Sequence, residues 1–503
     1  MSGVAANRGG ANGSAKGAGG AHEIRHSICR VCLNGCPILV EIENGRVTGV
    51  TGDPAGPLHH GYSCHRGRAL PELMYDPRRE LHPTRLMPDG TRARIGLDQA
   101  IDEIVEKLRA IIAEHGPDAV AIYSGTAVTK SAPLMPLADS FLEELGGSRI
   151  WSANTLDQPG KQIAHGLHGY WKAPPQAFDN PEVILWIGIN PVMTYFGMPC
   201  GSPQAYIRDQ LARGTKIISI DPRAHETARR STLHIQPRPG HDVAIVAGMI
   251  RTILSEDLYD HEFVAENVEG LDDLRAAVEP FTPELVAERA DISADDLIAA
   301  ARMFAAAKRG YAVAGTGPSM GTAQGTVFEY LILALDTICG HYLRAGEEVV
   351  TPGTLSGVPT FKAQAHGPIP AFGYGRRLRF RGFTETLGGL PTSAMAEEIL
   401  TPGEGQVRAL FVVGGNPAAA VTDQLQMLEA LESLDLLVTT DIHMSSTARR
   451  AHYNIAPKMQ LETVAMRGDH PPNIYANAHM GMAAAYAQYA PVLVDPPEGS
   501  EVI

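Results

Sequence analysis

ILWIGINP, residues 184–191, and LFVVGGNP, residues 410–417, decide the fold. Each is a run of apolar residues that breaks off at Gly-x-Asn-Pro, so each reads as a strand buried on both faces and ending in a tight turn. A helical stretch follows each one, Ser202–Arg213 after the first and Thr422–Leu431 after the second. A further apolar run comes next: Lys216–Ile220 leads into Asp221-Pro222-Arg223, and Leu434–Thr440 leads into Asp441. Strands alternating with helices predict parallel sheets covered on both faces, an α/β fold. In such sheets ligands bind beyond the carboxyl ends of the strands, where the strand order reverses. Gly188, Gly414 and Gly415 let backbone approach a phosphate or a ring there, and the amides of Asn190 and Asn416 can both donate and accept. Pro191 and Pro417 complete the two turns. An acid ending the next strand, here Asp221 or Asp441, is the usual holder of a ribose hydroxyl or a guanine edge. Taken singly, each turn is an ordinary strand-to-helix connection and each aspartate a helix cap. The matched pair favours two pseudo-equivalent nucleotide sites.

Four of the six cysteines fall in the first 64 residues, as Cys29-x2-Cys32-x3-Cys36 and then Cys64. Structural zinc sites usually come as two similar short knuckles, each clamping one edge of a tetrahedron. A tight run of three with a distant fourth suits a cubane cluster, in which each thiolate holds one corner iron. Gly35 allows a sharp backbone turn around such a bulky group. The alternative is zinc, with His22 or His26 as a substitute ligand. Cys200 and Cys339 read as small core residues.

The chain has 503 residues, enough for about three or four domains. With 44% hydrophobic and 19% charged residues it belongs to the globular class. A net charge of −14 argues against a nucleic-acid partner, which wants a basic face. No stretch has the apolar length to span a bilayer. Residues 1–22 are rich in Gly, Ala, Ser and Asn with no apolar signal region, and are expected to form a disordered leader. Unpaired thiols without a signal peptide predict a cytoplasmic location.

Further elements are legible by pattern. LVEIENGRVTGVTGD alternates around Asn44-Gly45 and predicts a β-hairpin with a type I′ turn. Leu97–His115 carries its apolar residues on one helical face and stops at Gly116-Pro117. Ala119–Tyr123 and Tyr311–Ala314 read as strands; Pro136–Leu145, Asp242–Leu254 and Thr326–Ile338 read as helices, with more helix between 261 and 308. The stretch 346–404 is rich in Gly, Pro and Arg and shows little periodicity. Residues 315–321, GTGPSMG, end a strand in a small-residue loop suited to close approach of a cofactor.

Taken together, these residues resemble the catalytic subunits of the molybdenum/tungsten bis-pterin oxidoreductases, the family of formate dehydrogenases, nitrate reductases and dimethyl sulfoxide reductases. The likeness rests on the four cysteines, Cys64-His65-Arg66-Gly67, Tyr75-Asp76-Pro77, GINP, IDPRAHETARR, Pro239-Gly240-His241-Asp242, GGNP and TTDIHMSSTARRAHY, in the family's order along the chain. The resemblance implies a 4Fe-4S cluster on Cys29, Cys32, Cys36 and Cys64. It also implies two molybdopterin guanine dinucleotides holding one Mo or W, with Gly188, Asn190, Pro191, Asp221, Arg223, Gly240, Asp242, Gly414, Gly415, Asn416, Asp441 and Ser446 as the binding residues. Arg66 occupies the family's cation position between cluster and pterin, where a permanent charge stabilises the reduced cluster; the alternative is a surface ion pair.

The family also places one protein ligand to the metal ahead of the first strand-end glycine, in a window that here contains no cysteine. A hard carboxylate suits an oxidised metal, which makes Asp157 the candidate and Ser152 the second choice. Asp157 could equally cap a helix beginning near Pro159. His165 and His168 either line a substrate funnel as proton carriers or simply cap and pack. By the same resemblance the domains interleave: 23–82 with a late return near 456–490, 83–150 joined to 346–455, and 151–345 between them. The family's pterin-closing barrel is expected to be absent, since residues 486–503 resemble the linker into it. The implied activity is two-electron redox of a small-molecule substrate, with the cluster passing electrons to a redox partner protein or other acceptor. A non-redox hydratase of the family and a metal-free relay or scaffold subunit are the alternatives.

Overall fold

Two parallel sheets carry the strands that the motifs mark. The computed structural model describes residues 22–32, 34–130, 134–171, 181–194, 197–198, 201–349, 361–467 and 488–503. The expected leader, apart from His22, and Cys200 lie outside the described residues.

One sheet is four-stranded and entirely parallel, in the order Leu233–Ile235, Lys216–Ile220, Val183–Ile187, Gly310–Ala314. Side chains of a strand alternate between faces, and here both faces are covered. Val183, Leu185 and Ile187 pack toward the helices Asp242–Ser255, Ala294–Ala305 and Gly325–Ile338. Ile184 and Trp186 pack on the other face with Ile207 of the helix Pro203–Ala212. That two-sided burial is why the strand reads as a continuous apolar run. Ser202 caps the helix behind it, accepting from Ala205 N, with Pro203 at the first helical position.

The other sheet has seven strands, in the order Arg92–Arg94, Thr84–Leu86, Tyr453–Ile455, Leu436–Thr440, Ala409–Val413, Val120–Ser124, Arg149–Ser152. The five from Tyr453–Ile455 to Arg149–Ser152 are parallel, and the other two add as an antiparallel margin. Its strands thus come from two distant parts of the sequence. The helix Leu97–His115 covers one face through Ala100, Ile104, Leu108 and Ile111.

A third, small antiparallel sheet joins His22–Ile28, Pro37–Glu43 and Arg46–Gly52. Asn44 and Gly45 turn its hairpin with φ of 53° and 76°, the left-handed pair a type I′ turn requires. Its core, with Ile38, Val40, Ile42, Leu70 and Met74, is completed by Met459, Leu461 and Val494. A buried ion pair fastens the same junction: Arg79 Nη1 and Nη2 reach Glu462 Oε1 and Oε2 at 2.7 and 2.6 Å. The stretch of weak periodicity holds short pieces, with Phe372–Arg377 pairing Thr384–Thr386 ahead of the helix Met395–Leu400. The fold is α/β with a small β-rich N-terminal part. Among the described residues no helix is long and apolar enough to cross a membrane.

Candidate cluster and nucleotide sites

Cys29 follows the strand His22–Ile28 and Cys36 precedes the strand Pro37–Glu43, so one loop between paired strands carries three thiols. Cys29 N donates to Cys36 O at 2.9 Å and closes that loop. Gly35 adopts φ of 53°, as the sharp turn demands. Cys64 caps the short helix His65–Arg68 and brings the fourth thiol in. Gly67 faces the group: a Cβ there would stand 3.1 Å from Cys29 Sγ. Burial raises the Cys29 thiol to about 11 and the Cys36 thiol to about 12, with neighbouring cysteines adding like-charge repulsion and Asn34 and Arg66 opposing. Thiols so desolvated ionise when a cationic centre takes up their charge. Among the described residues no three His, Cys, Asp or Glu groups converge closely enough to share one metal ion. The thiols nevertheless lie within each other's field, which suits a cubane with one iron per sulfur. Of the substitute ligands the zinc alternative invoked, His26 is engaged by Asp53 at 2.7 Å, its side chain largely in solvent. The residues present fit an iron–sulfur cluster.

Both Gly-x-Asn-Pro turns lie where strand order reverses. From Val183–Ile187 the sheet runs one way through Lys216–Ile220, while Gly310–Ala314 lies on the other side. Ala409–Val413 stands in the same relation to Leu436–Thr440 and Val120–Ser124. Backbone meets backbone in each crevice. A Cβ on Gly315 would fall 2.1 Å from Gly188 O, and one on Gly125 would fall 2.2 Å from Gly414 O. Gly188 and Gly414 themselves have φ of 63° and 62°. These are openings that only glycine leaves, at the place where α/β sheets take ligands.

The two asparagines hold equivalent clamps. Asn190 Oδ1 accepts from Thr227 Oγ1 at 2.8 Å, and its Nδ2 donates to Glu226 Oε2 at 2.9 Å. Asn416 Oδ1 accepts from Thr447 Oγ1 at 2.7 Å, Ser446 Oγ at 2.9 Å and Thr447 N at 3.2 Å. Asp221 accepts from Arg223 N and Asp441 from His443 N, so each aspartate organises the turn after its strand. Asp221 also pairs with the buried His225 at 3.3 Å. Burial pulls the His225 imidazole down, with Asp221 opposing. Asp242 opens its helix after Gly240, whose φ is 88°; burial pushes its carboxyl up and the nearby Asp221 charge adds to the rise. A cavity of about 570 Å³ opens beside that turn, lined by Gly240, His241, Phe281, Arg289 and Gln324 among others.

Thr227 and Thr447 were not among the residues the sequence reading selected. The signal for them exists: Asp-x5-Thr-Ala-Arg-Arg occurs at 221–230 and again at 441–450.

The cluster segment touches the chain just after the first Gly-x-Asn-Pro turn and, in the second half, the turn that follows Asp441. Arg66 Nη2 donates to Met193 O at 3.3 Å and Asn34 bonds Gly201, both on the far side of Asn190-Pro191. Asp76 meets His443 Nε2 at 3.5 Å, and Glu80 N donates to Ile442 O at 2.8 Å, beside Asp441.

Asp157 is half-buried at the end of the one-turn helix Asn154–Asp157. It does not cap the next helix. That helix, Pro159–His168, has Gln158 at its cap and no side-chain capping bond, which corrects the capping alternative. Gln158 Nε2 instead donates to Thr316 Oγ1 at 2.8 Å, and Lys161 Nζ to Ala314 O at 2.9 Å, so this segment lies against the end of the strand beside Gly188. Ser152 N and O are both bonded to Thr392 Oγ1, which fixes its backbone. His165 lines a small cavity of about 110 Å³ with Gln162, Tyr170, Ile369 and Leu387. His168 packs instead: Nδ1 faces Gly169 O, Nε2 faces Thr337 Oγ1, and the ring stands edge-on to Tyr330. Cys339 is buried in the core, and the 315–321 loop forms the short helix Thr316–Met320.

Comparison with known proteins fits this geometry. A family model described as the molybdopterin oxidoreductase Fe4S4 domain matches residues 23–76, which decides the cluster against zinc. The thiosulfate reductase molybdopterin-containing subunit of Salmonella typhimurium is 27% identical over 89% of this chain and 59% of its own length. Formate dehydrogenase H of Escherichia coli is 26% identical over 84% of this chain and 61% of its own. The chain therefore spans about three fifths of the length of these curated relatives. Acetylene hydratase from Pelobacter acetylenicus superposes with a TM-score of 0.75 at 22% identity, covering 95% of this chain and 67% of that structure, a likeness of fold. The molybdopterin oxidoreductase model itself matches residues 89–455, and with that match over most of the sequence the chain belongs to the molybdopterin oxidoreductase family, whose cofactors are a molybdopterin-held Mo or W and, through the N-terminal domain, a 4Fe-4S cluster.

Proposed function

We propose that this chain is the cluster-bearing and nucleotide-holding body of a molybdenum- or tungsten-dependent oxidoreductase that acts on a small substrate. The contacts of the cluster segment with the chain just after Asn190-Pro191 and with the turn after Asp441 support this reading, because they dock that segment against both halves that carry the proposed nucleotide residues. When bound, the pterin-held metal supplies two-electron exchange with the substrate, and the cluster supplies single-electron transfer to a partner. Cys29, Cys32, Cys36 and Cys64 hold the cluster. Gly188, Asn190, Pro191, Asp221, Arg223, Gly240 and Asp242 form one half of the dinucleotide site, and Gly414, Gly415, Asn416, Asp441 and Ser446 form the other. Arg66 sets a positive charge between cluster and cofactor, since its guanidinium lowers the proton affinity of Cys29 and reaches Met193. Asp157 offers a carboxylate to the metal, and His165 holds a proton at the wall of the small cavity. Residues 23–82 with 456–490, 83–150 with 346–455, and 151–345 form the domains of this arrangement. The five described cysteines are unbridged, and we place the chain in the reducing cytoplasm.

Metal and nucleotide analysis of the chain, purified from cells able to make the cofactor, tests the proposal. It requires iron together with Mo or W and guanosine monophosphate after acid hydrolysis; their absence sinks it. Formate and thiosulfate, named in the relatives, are the first substrates to try with a redox dye. Turnover that neither reduces an oxidised dye nor oxidises a reduced one would point to the hydratase alternative. For Asp157→Ala the metal spectra should change; unchanged spectra would remove Asp157 as a ligand.

A further inference from the structure

We infer that the side-chain amide of Asn34 sets the reduction potential of the cluster, an inference that rests on Cys36 being a cluster ligand as proposed above. Asn34 lies between the second and third cysteines and is only 5% exposed. Its Nδ2 donates to Cys36 Sγ at 3.0 Å and also faces Gly201 O at 3.4 Å, while its Oδ1 accepts from Gly201 N at 3.4 Å. The amide is thereby held in one orientation. Flipping it would set its oxygen against both a carbonyl and a sulfur, and would lose the bond from Gly201 N. Gly201 is itself fixed: its φ is 143°, and a Cβ there would stand 2.7 Å from Leu58 O. On the other side of the loop, Asn34 O faces His59 Nε2 at 3.1 Å.

An N–H donated to a ligating sulfur withdraws electron density from the iron–sulfur bond and favours the state with one more electron. Burial strengthens the effect, because little water competes for the donor or screens it. Asn34 is a positioning and tuning residue rather than a ligand: it carries no electron, and it acts through Cys36. Sequence spacing alone does not disclose it, because its partner Gly201 lies 167 residues away.

A redox titration of the full chain, cluster-loaded under anaerobic conditions and followed by electron paramagnetic resonance, tests this without any enzymatic assay. Asn34→Leu keeps the bulk and removes the donor. The expected result is about a tenfold fall in the equilibrium constant for reduction, equivalent to about 59 mV lower potential for one electron. Asn34→Asp keeps the acceptor toward Gly201 N, cannot donate when ionised and adds negative charge, so its potential should fall further. Equilibrium constants for reduction within about twofold of wild type in both variants, with iron and labile sulfide retained, would overturn the inference. Loss of iron from both variants would also overturn it, in favour of a packing role. A wild-type chain that takes up no iron would instead sink the cluster proposal on which this one stands.

Discussion

Replacing Thr447 by valine keeps the shape of a fully buried side chain and removes one hydroxyl from the second asparagine clamp. That hydroxyl donates to Asn416 Oδ1 at 2.7 Å and accepts from Ala418 N at 3.1 Å. The Asn416 oxygen keeps its bonds from Ser446 Oγ and Thr447 N, so losing the first bond costs about 1 kcal/mol. Ala418 is buried, and its N–H, left without an acceptor, costs about 1–3 kcal/mol more. The sum is about 2–4 kcal/mol. Thr227→Val is the internal control: it removes the matching 2.8 Å bond to Asn190 without stranding a backbone amide, and should cost about 1 kcal/mol. Urea unfolding of both variants, with the same cofactor load and buffer, reads the difference. Guanosine monophosphate per chain should fall further in Thr447→Val, since Asn416 and Ala418 belong to the turn proposed to hold the nucleotide. If Thr447→Val proves no more destabilising than Thr227→Val, the clamp is not held in the way its geometry indicates.

Three other perturbations probe separate features. Glu462→Leu leaves the Arg79 guanidinium buried without its carboxylate and should destabilise the chain by about 3–5 kcal/mol; a loss below about 1 kcal/mol in urea unfolding would contradict the buried pair. Burial holds the His168 imidazole below its ordinary value of 6.5, with Gly169 O opposing, so the unfolded chain takes up the proton first as pH falls. Stability from this site is therefore complete above 6.5 and lost as pH falls below it, and His168→Leu should flatten the slope of stability on the acid side of pH 6.5. An unchanged slope would show that other groups govern it. Gly67→Ala brings a methyl to 3.1 Å from Cys29 Sγ and should lower iron per chain; full iron content would mean that the loop moves aside freely.

The long apolar elements were legible because one pattern dominates each. Lys216–Ile220 is bounded in the structure as its sequence indicates, and Leu97–His115 likewise, the first by two-sided burial and the second by one apolar face closed at Gly116. The strand His22–Ile28 escaped because most of its residues are exposed, and it is set by the backbone of its neighbour Pro37–Glu43. Arg149–Ser152 escaped for a different reason. A strand opening with a buried arginine contradicts the apolar pattern until Gly405 O, 2.9 Å from Arg149 Nη1, and Glu398 come into view from 250 residues away. At the site, the glycines, asparagines and aspartates were readable from local spacing. The threonines needed the two halves to be laid side by side, and the Arg66, Asn34 and Asp76 contacts depend on tertiary docking that no spacing encodes.

The cluster loop has a further consequence, in time rather than space. Arg30, between the first two cysteines, donates from its backbone N to Gln460 Oε1 at 2.7 Å, and the loop's core needs Met459, Leu461 and Val494. These partners are synthesised some 430 residues after the cysteines. At about 5–20 residues per second the thiols wait on the order of 20–90 s on the ribosome before their pocket can close. The pocket around the cysteines is thus completed late in the birth of this chain, and until it closes they are most open to oxidation.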